Sequence, residues 1–163
     1  MIHRFLHACF RAFFLMPLFP GIVLALLLWP PSAFAEKGLP TILILNSYHQ
    51  GYLWSDNEIT GIRTRFQKTY SGFEPSIEHL DAKRFPGEAQ VRRFTGYLRD
   101  KYRDRPLDLI MALDNSALEL ILAREDDLFP NVPVVFAGVN GFSPRLLQGR
   151  NHITGIAESQ DIL

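Results

Sequence analysis

Hydroxyl, imidazole and aromatic side chains are concentrated directly after an apolar run of strand length. Ser47, Tyr48 and His49 follow that run, and Tyr52 and Trp54 come shortly after them. Hydroxyl and imidazole groups donate and accept hydrogen bonds, whereas aromatic rings provide area for stacking. This combination is typical of a small-molecule binding surface, in which a few polar groups fix the orientation of a ligand.

Four later segments also place polar residues or glycine directly after predicted strands. They are Asp81 after the second strand, Asp114, Asn115 and Ser116 after the third, Gly138 and Asn140 after the fourth, and Glu158 after the fifth. The carboxyl ends of parallel strands meet at one edge of a sheet, where ligands bind in open α/β folds. We therefore expect these residues to form one ligand-binding site with the segment from Ser47 to Trp54, which we call the aromatic turn.

Several of these residues also fit purely structural roles. An Asp-Asn-Ser run is typical of a helix N-terminus, which favours capping by Asp114 and its two neighbours. An ion pair with Lys83 or Arg84 is the alternative interpretation of Asp81. Single glycines and histidines commonly serve turns and loops. The aromatic turn is the feature for which ligand or interface contact is favoured.

An alternation of strands and helices positions these residues. We predict strands over Thr41–Leu45, Pro75–Leu80, Leu107–Leu113, Pro133–Ala137 and Ile153–Ala157, and helices that run from a cap at Ser55 or Asp56 to about Tyr70, over Gly87–Tyr102 and over Ala117–Arg124. Such alternation predicts right-handed crossovers and a parallel sheet covered on both faces. The expected fold class is α/β, a flavodoxin-like three-layer sandwich with strand order 2-1-3-4-5.

The N-terminal segment has the pattern of an export signal. A basic start precedes an apolar stretch over residues 12–29, and no acidic residue occurs before Glu36. Ala33-Phe34-Ala35 matches the small-x-small pattern that signal peptidase reads. We therefore expect a signal peptide over residues 1–35, a mature domain over residues 36–163 and a periplasmic location. Retention of residues 12–29 as an inner-membrane anchor is the alternative.

Composition and motifs argue against several function classes. The chain has 17 basic and 17 acidic residues and no basic run, so we expect no nucleic-acid partner. The single cysteine, Cys9, lies in the predicted signal peptide, which leaves the mature domain without thiol chemistry. No nucleotide-binding glycine loop, nucleophile elbow or zinc-ligand spacing occurs. We therefore expect no cofactor, no metal and no enzymatic activity, and a periplasmic hydrolase that uses His49 with Asp81 or Asp114 is the alternative.

Five segments together resemble a known family. They are ILILNSYHQGYLWSDN (42–57), HLDAKR (79–84), DLIMALDNSA (108–117), LFPNVPVVFAGVN (128–140) and TGIAE (154–158). These segments are similar to the periplasmic-binding-protein-like domains that occur as ABC transporter substrate-binding proteins. The same domains form the extracytoplasmic sensor regions of bacterial histidine kinases and diguanylate cyclases. The likeness spans nearly all of the predicted mature domain.

The resemblance implies the first lobe of a type I periplasmic binding protein, which holds a small solute between two lobes. Matching positions assign to that lobe's site Ser47, Tyr48, His49, Trp54, Asp114, Asn115 and Asn140. The sequence ends at Leu163, where the family crosses to its second lobe, so we expect a fragment or a one-lobe protein. The implied function is recognition of a small-molecule solute, with an ABC permease or a membrane signalling protein as the partner.

Overall fold

A computed structural model of the protein describes residues 38–158. The predicted signal peptide lies outside the described residues. In chain order the described residues form β1 (Ile42–Asn46), α1 (Leu53–Thr69), β2 (Ser76–His79), α2 (Glu88–Tyr102), β3 (Leu109–Leu113), α3 (Asn115–Leu128), β4 (Val134–Val139), a 3-10 helix (Pro144–Leu147) and β5 (Ile153–Ala157). None of the helices between residues 38 and 158 has the length and apolar character needed to cross a bilayer.

The five strands form one parallel sheet in the order β2-β1-β3-β4-β5, which confirms the predicted topology. Asn46, the last residue of β1, is level with His79 of β2 and with Leu113 of β3. Leu113 is in turn level with Ala137 of β4. Because these strand ends lie side by side, the turns that follow them emerge together at one edge of the sheet.

Helices cover both faces of the sheet and make a flavodoxin-like three-layer sandwich. Helices α2 and α3 pack on one face through a large apolar cluster that includes Leu43, Leu98 and Ile121. Helix α1 packs on the other face through a smaller cluster of Ile44, Ile59 and Leu113. Every residue of β1 is buried, as expected for a central parallel strand that is covered on both faces.

The edge strand β2 carries a charged side chain that points into the protein. Glu78 is buried, and its carboxylate accepts hydrogen bonds from the hydroxyls of Tyr97 and Tyr102. The ammonium group of Lys101 lies 2.6 Å from the same carboxylate. Burial, followed by the hydrogen bond to Glu78, raises the pKa of Tyr102 to about 12. An inward charge of this kind is a known protection of an edge strand against pairing with other chains.

Helix α1 begins earlier than predicted, at Leu53, so capping by Ser55 or Asp56 is wrong. Ser55 is fully buried, and its hydroxyl accepts a hydrogen bond from the side-chain amide of Asn46. The carboxylate of Asp56 accepts a hydrogen bond from the backbone N–H of Gly51. Both side chains therefore connect α1 to the residues that precede it, and neither of them caps the helix.

Strand β4 and helix α3 are longer than predicted. Strand β4 reaches Val139, so Gly138 lies within the strand and not in the turn after it. Its φ of 70° coincides with an irregularity in the register between β4 and β5. Helix α3 begins at Asn115 and ends at Leu128, two residues before and four residues after the predicted bounds.

The contact between β4 and β5 gives a test of the sheet. A Cβ added to Gly155 would overlap the carbonyl oxygen of Phe136 and come within 2.5 Å of its ring. We expect Gly155→Ala to lower the free energy of unfolding by about 2–3 kcal/mol, as overpacking of a rigid contact does. Urea denaturation of the variant and the wild type measures this difference.

Gly61→Ala is the matched control, because a Cβ at Gly61 in α1 meets no atom within 4 Å. Alanine is the better helix former by about 1 kcal/mol, so this variant should be as stable as the wild type or more stable. Equal stability of Gly155→Ala and the wild type would contradict the close approach of β5 to β4.

Candidate ligand-binding site

Four side chains from three different turns contact one another at the carboxyl edge of the sheet. The hydroxyl of Tyr48 donates a hydrogen bond of 2.7 Å to the carboxylate of Asp114. The Tyr48 and Tyr52 ring centroids are 4.3 Å apart. The Lys83 ammonium lies 4.5 Å and 4.3 Å from these two centroids and donates to the Tyr52 hydroxyl at 2.7 Å. We call Tyr48, Tyr52, Lys83 and Asp114 the tyrosine cluster.

Asp114 has an unusual backbone conformation within this cluster. Its φ of 70° and ψ of 174° lie in a region that is nearly restricted to glycine. The carboxylate accepts a hydrogen bond from the backbone N–H of Asn115 and thereby caps α3, as the Asp-Asn-Ser pattern predicts. It also accepts the hydrogen bond from Tyr48, so one side chain serves both the helix and the cluster. Backbone strain of this kind is concentrated at functional sites, which supports a functional role for this edge.

The environment of Tyr48 keeps its hydroxyl protonated. Burial raises the pKa of Tyr48 well above its ordinary value, and the hydrogen bond to Asp114 and that residue's charge raise it further. The hydroxyl therefore acts as a donor to Asp114 across the physiological pH range. The Tyr48 ring remains between the Lys83 cation and the Asp114 anion, so the site combines both signs of charge with aromatic surface.

Glu58 belongs to this edge, although the sequence analysis missed it. Burial raises its pKa above the ordinary value, and the nearby carboxylates of Asp114 and Glu158 raise it further. Its Oε2 atom is buried without a hydrogen-bond partner among the described residues. A Cβ at Gly138 would lie 2.9 Å from its Oε1 atom, so glycine at that position makes room for the Glu58 side chain.

Asn115 and Asn140 join the turns that follow β3 and β4. The side chain of Asn115 donates to the carbonyl of Asn140 and accepts from the backbone N–H of the same residue, with both distances 2.9 Å. The Asn115 amide is thus committed to holding the two turns together. It contributes to the site by fixing the position of its neighbours.

Ser47 lies beneath the site and not on its surface. The side chain is fully buried, and its hydroxyl donates to the carbonyl of Leu113 and accepts from the backbone N–H of Ala117. Asn46 is also fully buried, and its side chain contacts both Ser55 and His79. These two polar residues form the support on which the aromatic turn rests.

Asp81 and His49 lie beside the tyrosine cluster, and the His49 ring packs edge-on against the Tyr52 ring with their centroids 6.0 Å apart. The Nε and Nη2 atoms of Arg84 both contact the Asp81 carboxylate, and the hydrogen bond from that guanidinium lowers the pKa of Asp81. The ion-pair alternative therefore describes Asp81 correctly. The Nδ1 atom of His49 lies 2.8 Å from the carbonyl of Gln50. Within the described residues, no hydrogen bond joins His49 to either Asp81 or Asp114, and no group of acidic, histidine and cysteine side chains has a metal-binding arrangement.

The remaining predicted residues occupy different surroundings. Trp54 is 54% exposed on the first turn of α1. Glu158 comes directly after β5. Its carboxylate lies close enough to Glu58 and Tyr48 to contribute to the raised pKa values of both. Ser116 instead lines a groove of about 420 Å³ between α2 and α3, with Leu120 in its lining. Ser116 therefore lies outside the tyrosine cluster, although it is only two residues after Asp114 in the sequence.

Comparisons with models of known protein families, with curated proteins and with solved structures returned no match for this chain. A functional interpretation therefore depends on the geometry of the site and on the sequence patterns. The geometry offers two tyrosine rings, one ammonium group and a set of carboxylates at an open sheet edge. Such an arrangement is suited to holding a small polar molecule with some aromatic or planar character.

Glu58 provides a test of the electrostatics of the site. Its raised pKa means that the folded protein holds the Glu58 proton more tightly than the unfolded chain, so stability falls as the pH rises through the raised pKa. We expect Glu58→Gln to unfold at higher urea concentration than the wild type at pH 7. The difference should vanish at a pH below the ordinary pKa of glutamate, about 4.3.

Glu119→Gln, which changes an exposed glutamate of α3, is the matched control and should show no comparable gain at pH 7. Urea denaturation at several pH values measures both variants. A Glu58→Gln protein that is less stable than the wild type at pH 7 would contradict the unfavourable environment described for this carboxyl group.

Proposed function

We propose that this chain recognises a small solute at the carboxyl edge of its sheet and does not transform it. The observation that carries the proposal is the tyrosine cluster, in which three turns bring two aromatic rings, an ammonium and a carboxylate into contact. Aromatic faces provide stacking area, and the charged groups select the orientation of a polar ligand. The strained backbone of Asp114 supports the same location, as does the Glu58 oxygen, which is buried without a hydrogen-bond partner in residues 38–158.

Binding is favoured over catalysis by the hydrogen-bond partners of the side chains at this edge. In a hydrolase, the base that activates the nucleophile is typically oriented by a third group. The imidazole of His49 has a backbone carbonyl and the Tyr52 ring as neighbours, whereas Asp114 accepts a hydrogen bond from Tyr48 and Asp81 from Arg84. The hydrolase alternative pairs His49 with one of these two carboxylates. Within residues 38–158, no hydrogen bond between His49 and either carboxylate supports that pairing.

The sequence resemblance supplies the proposed cellular context. We propose that the chain is the first lobe of a periplasmic-binding-protein-like domain that is exported by a cleaved signal peptide. In this role it serves as the sensor region of a histidine kinase or diguanylate cyclase, or as the substrate-binding protein of an ABC transporter. A neighbouring permease gene would favour the transporter, and a kinase or cyclase domain in the same reading frame would favour the sensor.

A ligand screen tests the proposal directly. Amino acids, nucleobases, sugars and aromatic acids are added to the purified protein, and the shift in its melting temperature is measured. We expect at least one class to raise the melting temperature, because a ligand that binds only the folded state stabilises it. The affinity is expected to be weak, since a single lobe offers only one wall of a cleft. If no solute in the panel raises the melting temperature, solute binding by this chain is contradicted.

Lys83→Gln locates the site once a stabilising solute is known. Removing the ammonium from the two tyrosine rings should weaken binding by about tenfold, which corresponds to about 1.4 kcal/mol. Lys68→Gln, in the last turn of α1, is the matched control and should bind as the wild type does. Titration calorimetry measures both. Equal affinities for the two variants would place the site elsewhere.

The enzyme alternative predicts a different pattern. Turnover of a candidate ester or amide that is lost in His49→Ala but retained in Tyr48→Phe would favour a hydrolase. The binding proposal expects Tyr48→Phe to weaken ligand affinity, because the hydrogen bond that orients its ring is lost. Activity assays and calorimetry on the same two variants therefore separate the two functions.

A further inference from the structure

The turn after β4 contains an Asn-Gly pair whose asparagine side chain is uncommitted. Asn140 and Gly141 directly follow β4, and no other asparagine in the sequence precedes a glycine. The two hydrogen bonds that join Asn140 to Asn115 use only the main-chain groups of Asn140, and its side-chain amide has no partner within residues 38–158. Neither amide atom is among the buried polar atoms that lack a partner, so both are open to solvent.

Gly141 provides a nucleophile next to this amide. Its backbone N–H has no hydrogen-bond partner within the described part of the chain, whereas most N–H groups of a folded protein are engaged. A Cβ at this position would meet no atom within 4 Å, so the space around Gly141 is open. Glycine also has no Cβ of its own that would keep its nitrogen away from the preceding side chain. Because the two groups belong to adjacent residues, their reaction has the advantage of an intramolecular step.

We propose that Asn140 is a modification site, at which the backbone nitrogen of Gly141 attacks the side-chain amide and converts the asparagine to aspartate and isoaspartate. The nitrogen bonds to Cγ of Asn140, and its proton passes by way of water to Nδ2. The bond from Cγ to Nδ2 breaks, and ammonia leaves a succinimide ring. Water then opens the ring: cleavage between the Gly141 nitrogen and Cγ gives aspartate, and cleavage between that nitrogen and the main-chain carbonyl carbon gives isoaspartate.

The fold protects the two asparagines that precede serine. Asn46 is fully buried with its side-chain amide hydrogen-bonded, and the backbone N–H of Ser47 donates to a carbonyl of β3. Asn115 lies in α3, and both of its amide atoms are hydrogen-bonded to the main chain of Asn140. The contrast directs the reaction to Asn140, which combines a free amide with a free neighbouring N–H.

The products change the charge of the candidate site. The new carboxyl group is ionised at neutral pH, since the ordinary pKa of aspartate is about 3.9. It comes directly after β4, beside Glu158, whose backbone N–H donates to the last residue of that strand. Isoaspartate also lengthens the main chain by one carbon in the turn that Asn115 holds. The ring closure requires no solute, so it is independent of the proposed function.

Incubation of the folded full chain at mildly alkaline pH, followed by digestion and mass spectrometry, tests the site. A sample digested at time zero corrects for reaction during digestion, and the chain unfolded in urea is the reference. We expect the Asn140 peptide to convert to aspartate and isoaspartate forms in the folded protein, while the Asn46 and Asn115 peptides stay unmodified. If Asn140 stays intact in the folded protein while it reacts in the unfolded chain, the proposal is overturned.

Asn140→Gln is the matched control, because its longer side chain would have to close a six-membered ring, which forms far more slowly. The main-chain groups that Asn115 holds are unchanged by this substitution. On isoelectric focusing, the incubated wild type should gain an acidic species that migrates with Asn140→Asp, and this species should be lost in Asn140→Gln. Equal formation of the acidic species by the wild type and Asn140→Gln would place the reaction at another residue and overturn the assignment.

Discussion

The hydroxyl of Ser47 holds the candidate site together. It donates to the carbonyl at the end of β3 and accepts from a backbone N–H in the first turn of α3, so it joins the first aromatic turn to the capped helix across the strand boundary. A buried hydroxyl with both its donor and acceptor roles used fixes its surroundings closely. Tyr48 follows Ser47 directly, and Asp114 follows the carbonyl that Ser47 contacts. The hydrogen bond between Tyr48 and Asp114 is therefore a consequence of the Ser47 contacts beneath it.

Two features of the site above Ser47 are unfavourable for the stability of the folded protein. Asp114 occupies a glycine-like backbone conformation, and Glu58 keeps a carboxyl group in a place where burial and two other carboxylates oppose its charge. Two buried carboxylates elsewhere in the described chain show the opposite tendency. Glu78 and Glu125 are also buried, but both carboxylates are paired with cations and hydrogen-bonded. Proteins tolerate local costs mainly where function requires them, and this contrast separates the carboxyl edge from the structural ion pairs.

The sequence was sufficient for the topology but only partly for the site. Apolar strands alternating with amphipathic helices predicted five parallel strands in the correct order, because periodicity and crossover handedness leave few alternatives. The start of α1 was missed because Ser55 faces the buried Asn46, a contact that no local pattern reveals. Glu58 was missed because its surroundings are created by Gly138 of a distant strand. The position of Lys83 above two tyrosine rings depends likewise on the meeting of separate turns, which sequence spacing does not encode.

The close approach of Glu58 and Gly138 also constrains how this protein can change in evolution. Any side chain at position 138 would enter the volume that the Glu58 carboxylate occupies, and the positive φ there already disfavours other residues. A side chain at 138 would require the Glu58 carboxylate to move or to be shortened, whereas Glu58 can be shortened without any change at Gly138. The restriction therefore acts in one direction, from the carboxylate on α1 to a glycine about eighty residues later in the chain.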